Sequence, residues 1–431
     1  MFRQKFIFIF LITLFLLVSA IAFFLWQKVK KFEPEVYYYV PPETSFIYNE
    51  EEFKYGLEKY LREAIETEMA KLIKNKESFI YANLKNMELA LYKEGEKLRV
   101  FPVQGKGAEW FWGETPAGIY SVGFKSRLHF STAARVWMPY AIQYYGNYFI
   151  HGWPYDRAGR LLSPGPSGGC IRLNTQEAAA VFEFAQLGMP ILVFDERIPR
   201  VLPAIASNKA EIISPETNAQ FLLAADLDTG EILLSKEADS EIFAGPAVYG
   251  MLALVASDAV NLDKRIVARD WMTAGVGEKI IVPGRTYKGY DLLKPLLLQS
   301  SKEAALVLSR FITAEKFVDL MNEKTKGIGM KNTVFADVVG AAKENTTTLF
   351  DVARMMRYIK DYRKFILNIS NELSGRAENE TKSIFLTQEM KAFSDDASRF
   401  IFIGIVNSFD PKEDLKNINE WLENNFSLKK I

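Results

Sequence analysis

The chain has a single cysteine, Cys170, among 431 residues, and this limits how the fold can be stabilised. One cysteine cannot form an intrachain disulfide or a metal site built from several cysteines. With two histidines in the whole chain, a zinc site is also not expected. The fold must therefore depend on apolar packing, and a chain with 49% hydrophobic residues can form two or three domains. No metal or other cofactor is expected.

The surroundings of Cys170 favour chemistry over simple packing. His151 precedes it in the stretch YFIHGWPYDRAGRLLSPGPSGGCIRL, residues 148–173. A thiol with a pKa of about 8.5 is barely ionised at neutral pH, so we expect His151 to act as general base and to lower the thiol pKa. Gly168 and Gly169 allow the backbone to aim successive N–H groups at one point, as an oxyanion hole requires. The alternative is that Cys170 is a small buried apolar residue.

These residues resemble the signature of the L,D-transpeptidases with a YkuD-like catalytic domain. Upstream, the segments LYKEGEKLRVFPVQGKG, ETPAGIYSV and VWMPYAIQYYGNYFIHG are similar to successive parts of that domain, so that the likeness covers about residues 77–195. At Gly168 the family often has a histidine, although it also tolerates glycine. The resemblance implies a catalytic domain in which Cys170 is the nucleophile and His151 is the general base.

The resemblance also implies roles for the neighbouring residues. The N–H groups of Gly169 and Cys170 would form the oxyanion hole. A backbone carbonyl near Gly152 would orient His151, because no acidic partner is evident. Arg172 would form either a structural ion pair or a contact with a carboxylate of the donor peptide.

Further residues are assigned to substrate binding or to support of the site. They are Ser167, as a turn residue and hydrogen-bond donor, together with Gly168, Gly152 and Tyr140. Met138 and Pro139 lie in the same pocket-forming stretch as Tyr140, for which a place in the core is the alternative. His129 is expected to be structural or at the surface, with a position lining the cleft as the alternative.

An uncharged run from Phe6 to Trp26 follows the opening MFRQK. As a helix it would be about 30 Å long, which matches the hydrocarbon core of a bilayer. A cleaved signal peptide is the alternative, but Ser19 and Ala20 lie inside the run rather than after it. We therefore expect residues 1–31 to form a single-pass membrane anchor. Lysines and arginines flank the run on both sides, so the location of the remainder outside the cytoplasm, on the periplasmic or cell-wall side of the bacterial inner membrane, is inferred from the expected substrate.

Residues 32–76 predict a linker followed by an amphipathic helix. Apolar residues recur at helical spacing between Glu50 and Lys76, namely Phe53, Leu57, Leu61, Ile65, Met69 and Leu72. We expect a stalk or packing helix without a catalytic role.

Residues 77–195 predict the catalytic domain, in which short β-prone segments alternate with glycine and proline turns. One helix is predicted from Thr175 to Leu187, with Asn174 as N-cap and Gly188 as its stop. Residues 196–216 are rich in proline and are expected to form an interdomain linker.

Residues 217–431 predict a mixed α/β domain. Ala219–Asp239 indicates two strands joined by an Asp-Thr-Gly turn, and helices are predicted around residues 248–256 and 290–311. The hairpin, LLKPLLLQSSKEAALVLSRF, TTTLFDVARMMRYI and the closing RFIFIGIVNSFDPKEDLKNINEWLENNF resemble the D-alanyl-D-alanine carboxypeptidases of the penicillin-binding, serine β-lactamase-like fold.

The motifs for serine chemistry are missing from this second domain. Members of the family need Ser-x-x-Lys, Ser-x-Asn and Lys-Thr-Gly. Pro246 and Tyr249 stand where the serine and lysine of the first motif should be, and Lys302 replaces the asparagine that should follow Ser300. No Lys-Ser/Thr-Gly occurs between residues 374 and 399. We expect a catalytically inactive module that binds peptidoglycan peptides or braces the enzyme.

Lysine plus arginine and aspartate plus glutamate number 53 each, with no concentrated basic run, which argues against nucleic-acid binding. The sequence thus predicts a multidomain protein with an N-terminal transmembrane helix, a mostly β L,D-transpeptidase domain and a C-terminal α/β serine β-lactamase-like domain. Its expected partners are peptidoglycan stem peptides and the membrane. The expected reaction transfers a tetrapeptide stem from a Cys170 thioester to an amine. The alternatives are hydrolysis of that thioester, serine D,D-carboxypeptidase activity in the second domain, and a non-catalytic wall-binding protein.

Overall fold

The computed structural model describes residues 60–108, 113–195, 205, 213–276, 278–370, 372–376, 382–392 and 397–430, which belong to one compact unit. The predicted membrane anchor at residues 6–26 and most of the predicted linker at residues 196–216 lie outside these ranges. Among the residues that the structure describes, no helix has both the length and the hydropathy needed to span a bilayer.

The first domain contains two sheets and confirms the predicted mostly β architecture. Its elements are α1 (Tyr60–Lys74), β1 (Phe79–Asn83), β2 (Glu88–Lys93), β3 (Glu96–Pro102), β4 (Gly118–Ser121), β5 (Phe124–Ser131), β6 (Val136–Tyr145), β7 (Tyr148–His151), β8 (Ile171–Arg172), α2 (Thr175–Phe184) and β9 (Pro190–Phe194). One sheet has the strand order β3-β2-β1-β9-β4 and the other β5-β6-β7-β8. The second sheet ends in a parallel β7–β8 pair, which joins Ile150 and His151 to Ile171 and Arg172, directly after Cys170.

Two helix predictions in this region are refined. In the described part of the predicted helix at residues 50–76, α1 buries Leu61, Ile65 and Leu72 in the core, so that it is a packing helix. Helix α2 ends at Phe184 and not at Leu187 as predicted, because the next residue, Ala185, is buried and turns to an extended conformation. Gly188, predicted as the stop, lies beyond the helix in a turn with φ +80°.

The second domain is the predicted mixed α/β unit. Its strands are β10 (Phe221–Asp226), β11 (Ile232–Lys236), β12 (Ile242–Phe243), β13 (Arg265–Val267), β14 (Thr286–Lys288), β15 (Thr346–Thr347), β16 (Glu372–Arg376), β17 (Lys382–Ala392), β18 (Ser398–Ser408) and β19 (Leu428–Lys430). Its helices are α3 (Ala247–Ala259), α4 (Gly289–Gln299), α5 (Lys302–Ser309), α6 (Ala314–Gly327), α7 (Leu349–Tyr362), α8 (Lys364–Ile369) and α9 (Pro411–Phe426), with a 3₁₀ turn at Asp270–Met272. The main sheet has the order β11-β10-β18-β17-β16, with β19 paired to β17.

The predicted hairpin is confirmed as β10 and β11, whereas the single helix predicted at residues 290–311 is wrong. The chain breaks between α4 and α5 at Ser300, which adopts φ +50°. The hydroxyl of Ser301 then accepts a hydrogen bond from Ala304 N–H and caps the start of α5. Two consecutive serines thus end one helix and begin another, although the apolar periodicity continues across them.

The two domains share a continuous apolar core. A single cluster of buried side chains includes Tyr120 and Tyr145 of the first domain together with Leu252, Met321 and Tyr358 of the second. Strand β4 lies against α6, which brings two glycine backbones close together. A β-carbon on Gly118 would lie 3.0 Å from the carbonyl oxygen of Gly327. The second domain therefore packs directly against the body of the first.

Candidate active site

The β7–β8 pair brings the predicted catalytic residues onto one face of the sheet. Its register pairs Ile150 with Ile171, and both of these side chains are fully buried in the main core. Because side chains alternate along a strand, His151 at the end of β7 and Arg172 at the end of β8 point to the opposite face. Cys170, two residues before Arg172, packs in a separate small cluster on this second face. The sequence-predicted residues are therefore neighbours.

The sulfur of Cys170 lies against the backbone that leads into β7. Sγ is 4.0 Å from the carbonyl oxygen of Asn147. Burial raises the pKa of the Cys170 thiol to about 11, and the N–H of Phe149 and the charge of Arg172 oppose this only in part. The expectation that the resting thiol pKa is lowered is therefore wrong, because the surrounding protein removes the water that would stabilise a thiolate. Cys170 is a neutral thiol at neutral pH in this structure.

His151 is a buried, neutral imidazole in a defined orientation. Its Nδ1 is 2.6 Å from the carbonyl oxygen of Gly152, which confirms the contact expected there. A carbonyl can only accept, so Nδ1 carries the hydrogen and Nε2 has a free lone pair. Burial lowers the pKa of His151 to about 4, although the hydrogen bond to Gly152 opposes this shift. The ring is thus ready to accept a proton through Nε2.

The turn before Cys170 is held by Ser167. The Ser167 hydroxyl donates to the carbonyl oxygen of Cys170 at 2.6 Å and accepts from the N–H of Gly169 at 3.0 Å. The Gly169 N–H is therefore already engaged, which corrects its predicted place in an open oxyanion hole. Gly169 needs to be glycine, since its φ is +106°. A β-carbon on Gly168 would meet no atom of the described structure within 4 Å, so this position, unlike Gly169, has room for a β-carbon.

Arg172 is buried without a carboxylate partner in the described part of the chain. Its Nη1 donates to the carbonyl oxygen of Gly165 at 3.0 Å, and its guanidinium lies 5.9 Å from the centre of the Trp153 ring. Its Nε is buried and makes no hydrogen bond within the described residues. Burial lowers the pKa of Arg172. Of the two predicted roles, the structural ion pair is not observed among the described residues.

The remaining predicted residues flank the site. Tyr140 has φ +51° within β6, and its ring packs edge-on against Phe182 with centroids 5.8 Å apart. Of its two neighbours in β6, Met138 is buried beside Cys170. The carbonyl oxygen of Pro139 accepts a hydrogen bond from the N–H of Gly152 at 2.8 Å. Gly152 itself lies against α2, where a β-carbon would be 3.0 Å from Cα of Thr175.

His129 and Phe149 form an aromatic pair next to Cys170. The His129 ring stacks on Phe149 with centroids 4.9 Å apart, and Phe149 packs in the same cluster as Cys170. His129 thus lies closer to the site than a purely peripheral surface residue would. Sequence reasoning missed Phe149, although its spacing of two residues from His151 in a strand places both on one face.

In the second domain, the start of α3 is where the Ser-x-x-Lys motif is expected, and it has neither the serine nor the lysine. Pro246 directly precedes this helix, and the hydroxyl of Tyr249 donates to the carbonyl oxygen of Val339 at 2.9 Å. The carboxylate of Glu278 accepts from the Ser301 hydroxyl at 2.7 Å and from the Lys302 N–H at 3.0 Å.

Comparison with known families agrees with this division of the chain. Residues 77–193 match the family model described as the L,D-transpeptidase catalytic domain, and residues 208–395 match the model described as D-alanyl-D-alanine carboxypeptidase. The first part of the chain is thus similar to L,D-transpeptidase catalytic domains, and the second part is similar to D-alanyl-D-alanine carboxypeptidases.

Among curated proteins, the chain is 24% identical over 177 residues to the D-alanyl-D-alanine carboxypeptidase DacF of Bacillus subtilis, covering 39% of this chain and 46% of that protein. It is 33% identical over 124 residues to DacB2 of Mycobacterium tuberculosis, covering 28% of this chain and 42% of that protein. The chain thus spans less than half the length of these relatives.

Among solved structures, a D-alanyl-D-alanine carboxypeptidase of Mycobacterium tuberculosis matches with a TM-score of 0.41 and 20% identity, covering 49% of this chain and 94% of that one. An L,D-transpeptidase of Mycobacterium smegmatis matches with a TM-score of 0.24 and 19% identity, covering 27% and 58%.

Proposed function

We propose that the first domain is a peptidoglycan L,D-transpeptidase that uses Cys170 as nucleophile and His151 as general base. The main supporting observation is the 2.6 Å contact between His151 Nδ1 and Gly152 O, which leaves Nε2 as the acceptor of a residue that shares a face of the sheet with Cys170. A neutral base beside a neutral thiol favours proton transfer during attack over a preformed ion pair.

The reaction begins with attack of Cys170 Sγ on the carbonyl carbon of the third residue of a tetrapeptide stem, while His151 Nε2 takes the thiol proton. The Cys170 N–H is the remaining donor of the predicted oxyanion pair, and such a donor contributes about 3 kcal/mol to the transition state. The tetrahedral intermediate collapses as the C–N bond breaks, and His151 returns the proton to the leaving D-alanine. A thioester remains on Cys170.

The thioester is then resolved by an amine of a neighbouring stem. His151 accepts the amine proton, the C–S bond breaks, and the proton passes back to the sulfur. Attack by water in place of the amine gives the carboxypeptidase outcome with the same proton movements. Arg172, buried without a carboxylate partner in the described residues, would bind a carboxylate of the donor peptide.

The proposal is tested with purified muropeptides and the full chain. Wild type should form a thioester of the stem that intact mass spectrometry detects, and it should release D-alanine. Cys170→Ala should form neither product, and His151→Gln should acylate slower by about two to four orders of magnitude. Turnover by Cys170→Ala would refute the assignment. Acylation of Cys170 by a carbapenem provides a second readout at the same atom.

A serine D,D-carboxypeptidase activity is the second candidate, because residues 208–395 match that family and the curated relatives carry that name. Pro246 and Tyr249 argue against it, since neither can replace a serine nucleophile or its lysine. Labelling with a fluorescent penicillin distinguishes the two. Signal lost in Ser300→Ala and kept in Cys170→Ala would favour the second candidate.

We also propose that residues 6–26 anchor the protein in the bacterial inner membrane with the catalytic domain outside the cytoplasm. The support is the length and apolar character of this run in the sequence. Carbonate extraction of membranes combined with protease accessibility of intact spheroplasts tests both statements. Full release by carbonate would contradict the anchor.

A further inference from the structure

We propose that Arg363 of the second domain is a positioning residue for Cys170, and that the second domain is an obligatory part of the transpeptidase site. The inference rests on the proposed function and extends it. It assigns a task to a domain in which Pro246 stands where the serine nucleophile is expected.

Arg363 directly follows α7 and reaches across the boundary between the domains. Its Nη2 donates to the hydroxyl of Tyr148 at 2.9 Å and to the carbonyl oxygen of Glu114 at 3.2 Å, both in the first domain. Its Nε and Nη2 also hold Oδ1 of Asp258 at 2.9 and 2.5 Å. A planar guanidinium with several fixed donors sets both the distance and the orientation of its partners.

Tyr148, which Arg363 holds by its hydroxyl, contacts the residue before Cys170. A β-carbon on Gly169 would lie 2.2 Å from Cε1 of the Tyr148 ring, so the ring is in direct contact with the residue before Cys170. A shift of the ring towards Gly169 would therefore press on the backbone of that residue. Because Arg363 holds the hydroxyl end of the ring, the second domain determines how far the ring can move.

Tyr362, next to Arg363 in sequence, makes a second link to the segment that contains Ser167, Gly169 and Cys170. Its hydroxyl donates to the carbonyl oxygen of Asp195 at 2.7 Å. The Asp195 carboxylate pairs with Lys106 Nζ at 2.7 Å, and the Lys106 carbonyl accepts from the N–H of Ser167 at 2.8 Å. Ser167 in turn holds the backbone of Cys170 through its hydroxyl. Two adjacent residues of the second domain thus reach the loop from two sides.

The end of α3 makes a third link, to the backbone beside the sulfur. Asn147 donates from its N–H to the carbonyl oxygen of Asp258 at 3.3 Å, and from Nδ2 to that of Ala259 at 2.7 Å. The carbonyl oxygen of Asn147 is the group 4.0 Å from Cys170 Sγ. The three links converge on the backbone around the nucleophile, which a simple packing interface would not require.

Arg363 and Asp258 stay ionised because they are paired. The side chains of Arg363 and Asp258 are 1% and 0% exposed. Lys324 Nζ lies 3.0 Å from the other Asp258 oxygen and is also fully buried. Although burial alone would raise the pKa of Asp258, Arg363 and Lys324 lower it, and the pair remains charged and rigid.

The test compares Arg363→Lys, which keeps the charge and loses the planar fork, with Tyr148→Phe, which keeps the ring and loses its hydroxyl. Arg399→Lys is the matched control, since Arg399 pairs with Asp226 at 2.9 Å, both side chains are 0% exposed, and both lie in the sheet of the second domain. Each variant is made in the full chain. The measurements are kcat and KM for thioester turnover, the alkylation rate of Cys170 by iodoacetamide, and the melting temperature.

We expect Arg363→Lys to lower kcat about ten- to hundredfold with KM within about twofold, because it misplaces the reacting atom without removing a substrate contact. Tyr148→Phe should lower kcat at least about threefold and change the alkylation rate in the same direction as Arg363→Lys. Arg399→Lys should lower the melting temperature and leave both rates per folded molecule within about twofold.

Wild-type rates in folded Arg363→Lys and Tyr148→Phe would overturn the inference. If Arg363→Lys does not fold, Tyr148→Phe decides alone, and unchanged kcat and alkylation there would overturn the inference equally. Absence of turnover in the wild type would instead refute the proposed function. In that case the alkylation rates still report whether Arg363 positions Cys170.

Discussion

The ring of Tyr148 occupies the space where a side chain of Gly169 would have to be. A β-carbon at Gly169 would lie 2.2 Å from Tyr148 Cε1 and 3.0 Å from the carbonyl oxygen of Gly113, and the residue has φ +106°. Both the backbone conformation and the available space therefore require glycine directly before Cys170.

Gly169→Ala should destabilise the fold by about 2 to 4 kcal/mol, because it adds backbone strain to a steric clash with the Tyr148 ring. Gly168→Ala is the matched control, since its β-carbon would meet nothing within 4 Å in the described structure. We expect the control to change the free energy of unfolding by no more than about 0.5 kcal/mol. Urea unfolding of both variants tests the pair, and equal losses would contradict this account of the turn.

The pH profile of acylation should be that of a histidine and a thiol that are both uncharged at neutral pH. His151 has a pKa of about 4 and Cys170 one of about 11, so the reactive pair persists between these values. We expect kcat/KM to fall as the pH drops through about 4, where His151 becomes protonated and can no longer accept the thiol proton. Rapid-quench acylation across this range measures the profile. An acid limb near pH 6.5 would show that the imidazole is not buried in solution.

His151 should also make folding stability depend on pH. Its folded pKa of about 4 lies below its unfolded value of about 6.5, so the unfolded chain binds the proton first as the pH falls. Stability is therefore fully present above pH 6.5 and falls by about 3 kcal/mol on the way to pH 4. His151→Gln should lose less stability than wild type over this interval. Chemical denaturation at pH 7 and pH 4 gives the comparison, and identical losses would argue against the shift.

Asp258 should be among the most sensitive positions for stability. It pairs with Arg363 and Lys324 in a fully buried cluster, so that Asp258→Asn leaves two buried cations short of a counter-charge. The expected loss is about 3 to 5 kcal/mol. Asp263→Asn is the control, since the Asp263 pair with Lys288 at 3.1 Å is exposed on both sides. It should cost less than about 1 kcal/mol. A similar effect of the two substitutions in thermal unfolding would contradict the role of the cluster.

The sequence predicted the parts of the site that depend on local chemistry. The contact of His151 with Gly152 and the glycine turn before Cys170 follow from residue types at short spacing. The β10–β11 hairpin likewise follows from the Asp-Thr-Gly turn between two apolar segments.

Two kinds of feature were not predictable in this way. The pKa directions of Cys170 and His151 depend on how many atoms from distant segments surround them, which periodicity does not report. The buried pairing of Asp258 with Arg363 joins residues that are 105 positions apart in the sequence. Such long-range pairs have no local sequence pattern. The break at Ser300 was missed because the apolar spacing runs through it and only the Ser-Ser pair marks the change.

The core that runs through both domains has a consequence for the intact chain. A protease cut between Asp195 and Ile213 would sever the covalent connection without exposing the side chains that the two halves bury together. The resulting fragments should co-migrate on a non-denaturing gel, and each, produced without the other, should be prone to aggregation. The two halves would then behave as obligate complementing pieces of one folded body.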